Sequence, residues 1–193
     1  MANLSFKSTN SMVFGALCVV INIVFGTAVN LLHIPLLFLD TVGTILSAAL
    51  YGPFMGAAVG GLTNVILGAT SNPKEMLFAL VNIAIGLIVG SIAKKWGFDI
   101  KTAIITGLVL SVVAPLVGTP IAVYVFGGLT GDGNDLLFAW LRASGQGIFT
   151  SAFIPRITGN FVDKIASCIL VSLVLMRLPK PMTAGHENRE KQA

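Results

Sequence analysis

From Ser11 onward the chain is a succession of apolar runs, each broken by a short polar or Pro/Gly-rich stretch. A bilayer core is crossed by about 20 helical residues rising 1.5 Å each, and most of these runs are near that length. The pattern predicts helices over Ser11–Leu32, Phe38–Leu50, Pro53–Ala69, Glu75–Ile92, Thr102–Phe126 and Thr158–Leu178. His33, Pro35 and Asp40 interrupt the chain between the first two. Tyr51-Gly52-Pro53 marks a tight turn, with Pro53 suited to the first position of a new helix. Thr70-Ser71-Asn72-Pro73-Lys74 reads as an extramembrane loop, and Pro115 and Pro120 fall inside the fifth helix. Gly127–Asp135 is a Gly-rich loop. Leu136–Ile154 is apolar but broken by Arg142 and Gln146 and ended by Pro155, so it suits an interfacial or re-entrant segment or a structured loop.

Composition turns this pattern into a class. Of the 193 residues, 55% are hydrophobic and only 10% charged. A soluble domain carries nearer a quarter charged residues, so this surface must meet lipid. The expected architecture is an all-α integral membrane protein, a compact bundle of six transmembrane helices. Residues 1–10 form a cytoplasmic N-terminus, 11–178 the membrane domain and 179–193 a polar cytoplasmic tail. The first run is too long for a signal peptide and lacks a cleavage site.

Charge sets the expected orientation. Six crossings place both termini on one side, which collects Lys7, Lys94, Lys95, Lys101, Arg177, Lys180, Arg189 and Lys191. The other side receives Lys74, Arg142, Arg156 and Lys164. The excess makes both termini cytoplasmic, and the location a plasma membrane crossed several times. The helix from Phe38 is short, which leaves five crossings as the alternative. The net charge of +4 calls for no nucleic acid, because the cations sit at helix ends.

Small residues recur at every fourth position: Gly52, Gly56, Gly60, Asn64 and Gly68, then Asn82, Gly86 and Gly90. This spacing lets neighbouring helix backbones approach closely, and the two asparagines are expected to bond between helices. Ser11 and Gly15 open the first helix in the same register, as a packing face or a face for a partner subunit. Polar groups at membrane depth mark sites. Asp40, beside Thr41 and Thr44, is either an N-cap or a ligand contact. Arg142 and Gln146 lie one turn apart, and Arg156, Asn160 and Lys164 form a stripe entering the last helix. Three cations and two amides at one mouth suit an anionic or carbonyl-rich ligand.

Cys18 and Cys168 read as small core residues, and His33 and His186 stand apart. No Ser/His pair, paired acids, HExxH, CxxC or Walker motif occurs, so neither an enzyme nor a resident metal or cofactor is expected.

The segments Phe38-Leu39-Asp40-Thr41-Val42-Gly43-Thr44 and Leu50-Tyr51-Gly52-Pro53-Phe54-Met55-Gly56-Ala57-Ala58-Val59-Gly60 resemble the second and third helices of the substrate-binding S components of energy-coupling factor (ECF) transporters. Ser71-Asn72-Pro73 and the basic ending from Ser172 to Lys180 fit the same pattern. The resemblance implies six helices and a pocket near the outer face for a vitamin or related micronutrient. It implies a membrane coupling subunit and two ATPases as partners, with ATP hydrolysed there and not in this chain. It places the pocket at the outer ends of helices 4 to 6 and the loop after helix 1. His33, Asp40, Trp140, Arg142, Gln146 and Asn160 are the matching candidates for substrate binding. Ser11 and Gly15 stand where the family carries a docking motif, usually alanines. A sensor module, a solitary facilitator and a structural subunit are the competing readings, separable by gene neighbourhood.

Overall fold

The computed structural model describes residues 9–34 and 36–178. Among these residues every regular element is helical. The order is α1 (Thr9–Leu31), α2 (Val42–Tyr51), α3 (Pro53–Thr70), a 3₁₀ turn (Pro73–Phe78), α4 (Ala79–Trp96), α5 (Ile100–Phe126), α6 (Asp135–Ala143) and α7 (Ile148–Arg177). Most of residues 1–10 and all of 179–193, with their lysines and arginines, lie outside the described residues.

Five segments are long and apolar enough to cross a membrane: α1, α3, the 3₁₀ turn with α4, α5 and α7. Their outward faces carry residues such as Leu17 and Val20 on α1, Leu116 on α5 and Leu173 on α7, all exposed. Hydrophobic side chains left outside at this density are stable only against lipid.

The short α2 is the inside of the molecule. Val42 through Ala49 are all buried, as befits a helix that is apolar on every side. It starts deep in the bundle, with Gly43 lying against the backbone of Cys18 and Asp40 against Gly26. It ends where Tyr51 meets Phe14, ring centroids 5.3 Å apart. The chain therefore descends beside α1 first as an irregular segment, residues 32–41, and only then as helix. Asp40 does not cap α2. The N-cap position is Thr41, which makes no side-chain cap bond. Instead Asn22 of α1 accepts the Gly43 N–H at 2.7 Å and the Thr44 N–H at 3.3 Å. Its amide donates to Thr44 Oγ1 at 2.9 Å and Thr63 Oγ1 at 3.0 Å. One side chain thus joins α1, α2 and α3 with its full complement of bonds.

The glycine stripe joins α3 to α4. A Cβ on Gly86 would lie 2.6 Å from the Gly56 carbonyl oxygen, one on Gly60 2.6 Å from that of Asn82, and one on Gly90 2.6 Å from the Gly52 carbonyl carbon. Backbone meets backbone here, and Asn82 donates to Asn64 in the same seam. Gly52 departs from the expected packing role. Added bulk there meets nothing within 4 Å, and its φ of 95° serves the α2–α3 turn. Ser11 and Gly15 point inward: Ser11 is buried, and a Cβ on Gly15 would lie 3.2 Å from Met55 Sδ. Gly15 thereby forms part of the α1–α3 contact.

Three helix starts differ clearly from the sequence reading, the first being α2, which begins at Val42 and not Phe38 because residues 38 and 39 are held as irregular backbone. The 3₁₀ turn, capped by Asn72, precedes α4, which begins at Ala79. The last helix starts at Ile148 and runs through Pro155. Proline removes a single intrahelical donor, and packing holds the helix across the gap. The real break is Ser144-Gly145-Gln146-Gly147, where Gly145 takes φ 87°. At the other end of the bundle Asp99 caps α5 by accepting the Thr102 N–H at 2.9 Å. Bonds from Thr102 hold its carboxyl below the usual carboxylate range.

The seam gives a direct prediction. Gly86→Ala, which drives a methyl into the Gly56–Ala57 backbone, should destabilise by about 1–3 kcal/mol as overpacking does. Gly147→Ala, with open space around it, should leave thermal unfolding in detergent unchanged.

Candidate functional site

Three connections gather at one end of the bundle: residues 32–41, 71–78 and 127–147. The position of a Cβ on Gly133 lies 2.8 Å from the Ile34 carbonyl oxygen, so the first and third connections touch through backbone. Leu36 N–H donates to Asn134 Oδ1 at 3.4 Å. Phe78 of the second connection packs on Phe126 at the end of α5, centroids 5.5 Å apart.

The first connection is held in an unusual shape. His33, Leu36 and Leu39 take φ of 49°, 63° and 51°, a left-handed conformation that residues with a Cβ adopt at a cost. Side chains from α7 enforce it. Asp163 Oδ1 accepts the N–H groups of Phe38 at 3.0 Å and Leu39 at 2.8 Å. Its Oδ2 accepts from Lys164 Nζ at 2.6 Å. Lys164 also donates to Thr41 Oγ1 at 2.9 Å and to Asp40 Oδ1 at 3.4 Å. Asp163 and Lys164 are almost fully buried, while Asp40 is about a third exposed. The three ammonium N–H groups therefore each have a partner, and the first connection is strapped to α7.

A second charged cluster sits about two turns earlier on α7. Arg156, also buried, donates to Thr130 Oγ1 at 2.7 Å and to the Ala152 carbonyl at 3.3 Å, with Asp132 Oδ2 at 3.9 Å. Thr130 donates to Asp132 at 2.7 Å, and Asp132 accepts the Asn134 N–H at 2.8 Å. Asp135 accepts the N–H groups of Thr130 and Gly131. Asn160 donates to the Arg156 carbonyl at 2.9 Å. Arg156 thus fastens the third connection to α7 as Asp163 and Lys164 fasten the first.

Of the residues singled out from sequence, Asp40 and Asn160 stand in or beside these clusters. His33 is exposed, its Nδ1 3.2 Å from the Leu31 carbonyl. Trp140, Arg142 and Gln146 lie on the surface of α6 and the turn after it, where Arg142 donates to the Gln146 carbonyl. They share the end of the bundle with Asp40 but not its hydrogen-bond network. The sequence pattern does not single out Asp163, Thr130, Asp132, Asn134 or Asn22, and Arg156 and Lys164, expected among the cations of a ligand mouth, are engaged in internal bonds. The available signal was Asp163-Lys164, two opposite charges side by side in an apolar run. Among the described residues no group of three or more His, Cys, Asp or Glu could hold a metal ion.

An all-helical membrane bundle with one polar, strapped end is the class the fold defines. The chain matches the family model for the ECF transporter substrate-specific component over residues 10–175, and it belongs to that family. No curated protein and no solved structure matches it. Membership makes the chain a substrate-binding, multi-pass membrane component of a transporter, and not an enzyme family member.

The strap can be tested by unequal substitutions. Lys164→Met leaves Asp163 buried and unpaired, and breaking such a pair costs about 3–5 kcal/mol. Asp163→Asn keeps an oxygen for the Phe38 and Leu39 N–H groups but turns its NH2 to the Lys164 ammonium, which keeps its bonds to Thr41 and Asp40. Thermal unfolding in detergent should therefore fall for both variants, and further for Lys164→Met, which leaves Asp163 and Asp40 both without their cation.

Proposed function

We propose that this chain is the solute-capturing subunit of an ECF-type importer in a prokaryotic plasma membrane. It takes a vitamin or related micronutrient at the end formed by the three connections and delivers it with a membrane coupling subunit and two ATPases that hydrolyse the ATP. The observation that carries this reading is family membership across nearly all of the chain.

Charge supports an outward-facing capture end. Arg156 and Lys164 are consumed in internal ion pairs, so they drop out of the topology count. The exposed cations at that end are then Lys74 and Arg142, against Lys94, Lys95, Lys101 and Arg177 at the other. Loops richer in Lys and Arg stay in the cytoplasm, which puts both termini inside. The irregular segment 32–41 together with α2 makes the sixth crossing. Irregular backbone is tolerated at membrane depth where protein surrounds it, and here α1 and α7 do so.

The cargo meets a surface of hydrogen-bonding groups. Asp40 is partly exposed there and His33, Arg142 and Gln146 are exposed, with Asn160 and Arg156 buried behind them. An anionic or carbonyl-rich cargo suits Arg142. Native mass spectrometry of the tagged protein, purified gently from its host, should find a bound small molecule with coupling and ATPase subunits. A bare chain would contradict the importer reading and favour a sensor or solitary facilitator. With the cargo in hand, Arg142→Ala should weaken binding without lowering thermal stability, because Arg142 is exposed. Unchanged affinity would remove it from the site.

A further inference from the structure

The helix α6 has two apolar sides, and only one of them is covered by protein. Phe138 is 6% exposed and seats on Gly128, where any Cβ would collide with its ring. Successive residues turn by about 100°, so Leu136 and Trp140 share a face roughly opposite Phe138. They are 82% and 66% exposed. The flanking chain is apolar and exposed as well, at Tyr124 near the end of α5, Leu129 after it, and Ile148 and Phe149 at the start of α7. Those two helices are bilayer-crossing by length and composition, so α6 is tied on both sides, in chain order, to membrane-spanning segments.

The charges on α6 are arranged to match. Asp135 is turned into the preceding loop, accepting its N–H groups. Arg142, in the last turn, is exposed and is the one cation of the helix. We propose that α6 is an interfacial anchor lying along the membrane, with Leu136 and Trp140 at the headgroup–acyl boundary and Asp135 and Arg142 on the side turned away from the lipid. An amphipathic helix with Trp on its apolar face and its charges on the other binds bilayers in this manner. The partner is the phospholipid surface. Because Asn134 bonds Leu36 and Thr130 bonds Arg156, the anchor fixes the third connection, and through it the first, relative to the membrane plane. The inference rests on the membrane placement of α5 and α7, and not on any cargo.

The chain has two tryptophans, so Trp96→Phe leaves Trp140 as the single probe. Trp96 is exposed at the opposite end, and its replacement spares the fold. The variant would be reconstituted into phosphatidylcholine vesicles carrying a nitroxide either near the carbonyl end or near the methyl end of an acyl chain. We expect the shallow nitroxide to quench Trp140 more than the deep one, and iodide in the buffer to quench it far less than free tryptophan. Leu136→Trp in a Trp96→Phe, Trp140→Phe background should repeat the result one turn away. Full iodide quenching with no lipid quenching would place α6 in water and overturn the proposal. Strongest quenching by the deep nitroxide would also overturn it, making the segment re-entrant.

Discussion

Polar groups in the interior of a membrane protein have no water to fall back on, and each must find its partner within the chain. Much of this architecture follows from that constraint. The start of α2 lies deep in the bundle, where its first N–H groups would be orphans, and Asn22 reaches across from α1 to accept two of them. The same amide binds hydroxyls on α2 and α3. Asp163 does equivalent work for the irregular backbone of residues 38 and 39, with Lys164 bonded beside it. A buried ion pair adds little stability for its own sake. Here its worth is positional, since it holds a left-handed, strained connection against α7.

The two halves of the bundle cohere by different means. The α3–α4 seam is dry and close, backbone on backbone at Gly56, Gly60, Gly86 and Gly90, with Asn64 and Asn82 bonded at one end. Between lipid-exposed helices there is no hydrophobic force to draw them together, so close packing and buried hydrogen bonds must serve. The α7 side carries the charged residues and receives the connections. One half is therefore a rigid frame and the other a scaffold for polar segments. A transporter subunit that must both persist in lipid and receive a solute needs each of these.

Much of the frame was legible in the chain. Apolar run length locates the long helices, and the four-residue spacing of glycines marks helix faces suited to close backbone approach, though not which helix meets which. A turn glycine such as Gly52 can fall in step with a packing stripe, and its positive φ is what separates it. Pro155 suggests a terminus in sequence, yet the helix runs through it. The site was less legible. Its contacts join residues some 125 positions apart, Phe38 to Asp163 among them, and no local pattern encodes such a pairing. Asn22 stood in plain view inside an apolar run, but its partners Thr44 and Thr63 are defined only by the packing of three helices. Arg142 stands out as a charge in an apolar segment and Trp140 only through the family resemblance, and the structure places both on the surface.

Central to the functional reading is that the end where the connections meet faces outward, away from the cytoplasm. Cysteine labelling in intact cells tests it most directly. Cys18 and Cys168 are buried and should stay silent. Ser71→Cys, in the second connection, should react with a membrane-impermeant maleimide on whole cells, and Lys101→Cys, at the opposite end, only after lysis. Labelling of Lys101→Cys on intact cells with Ser71→Cys protected would invert the protein in the membrane and contradict capture at that end.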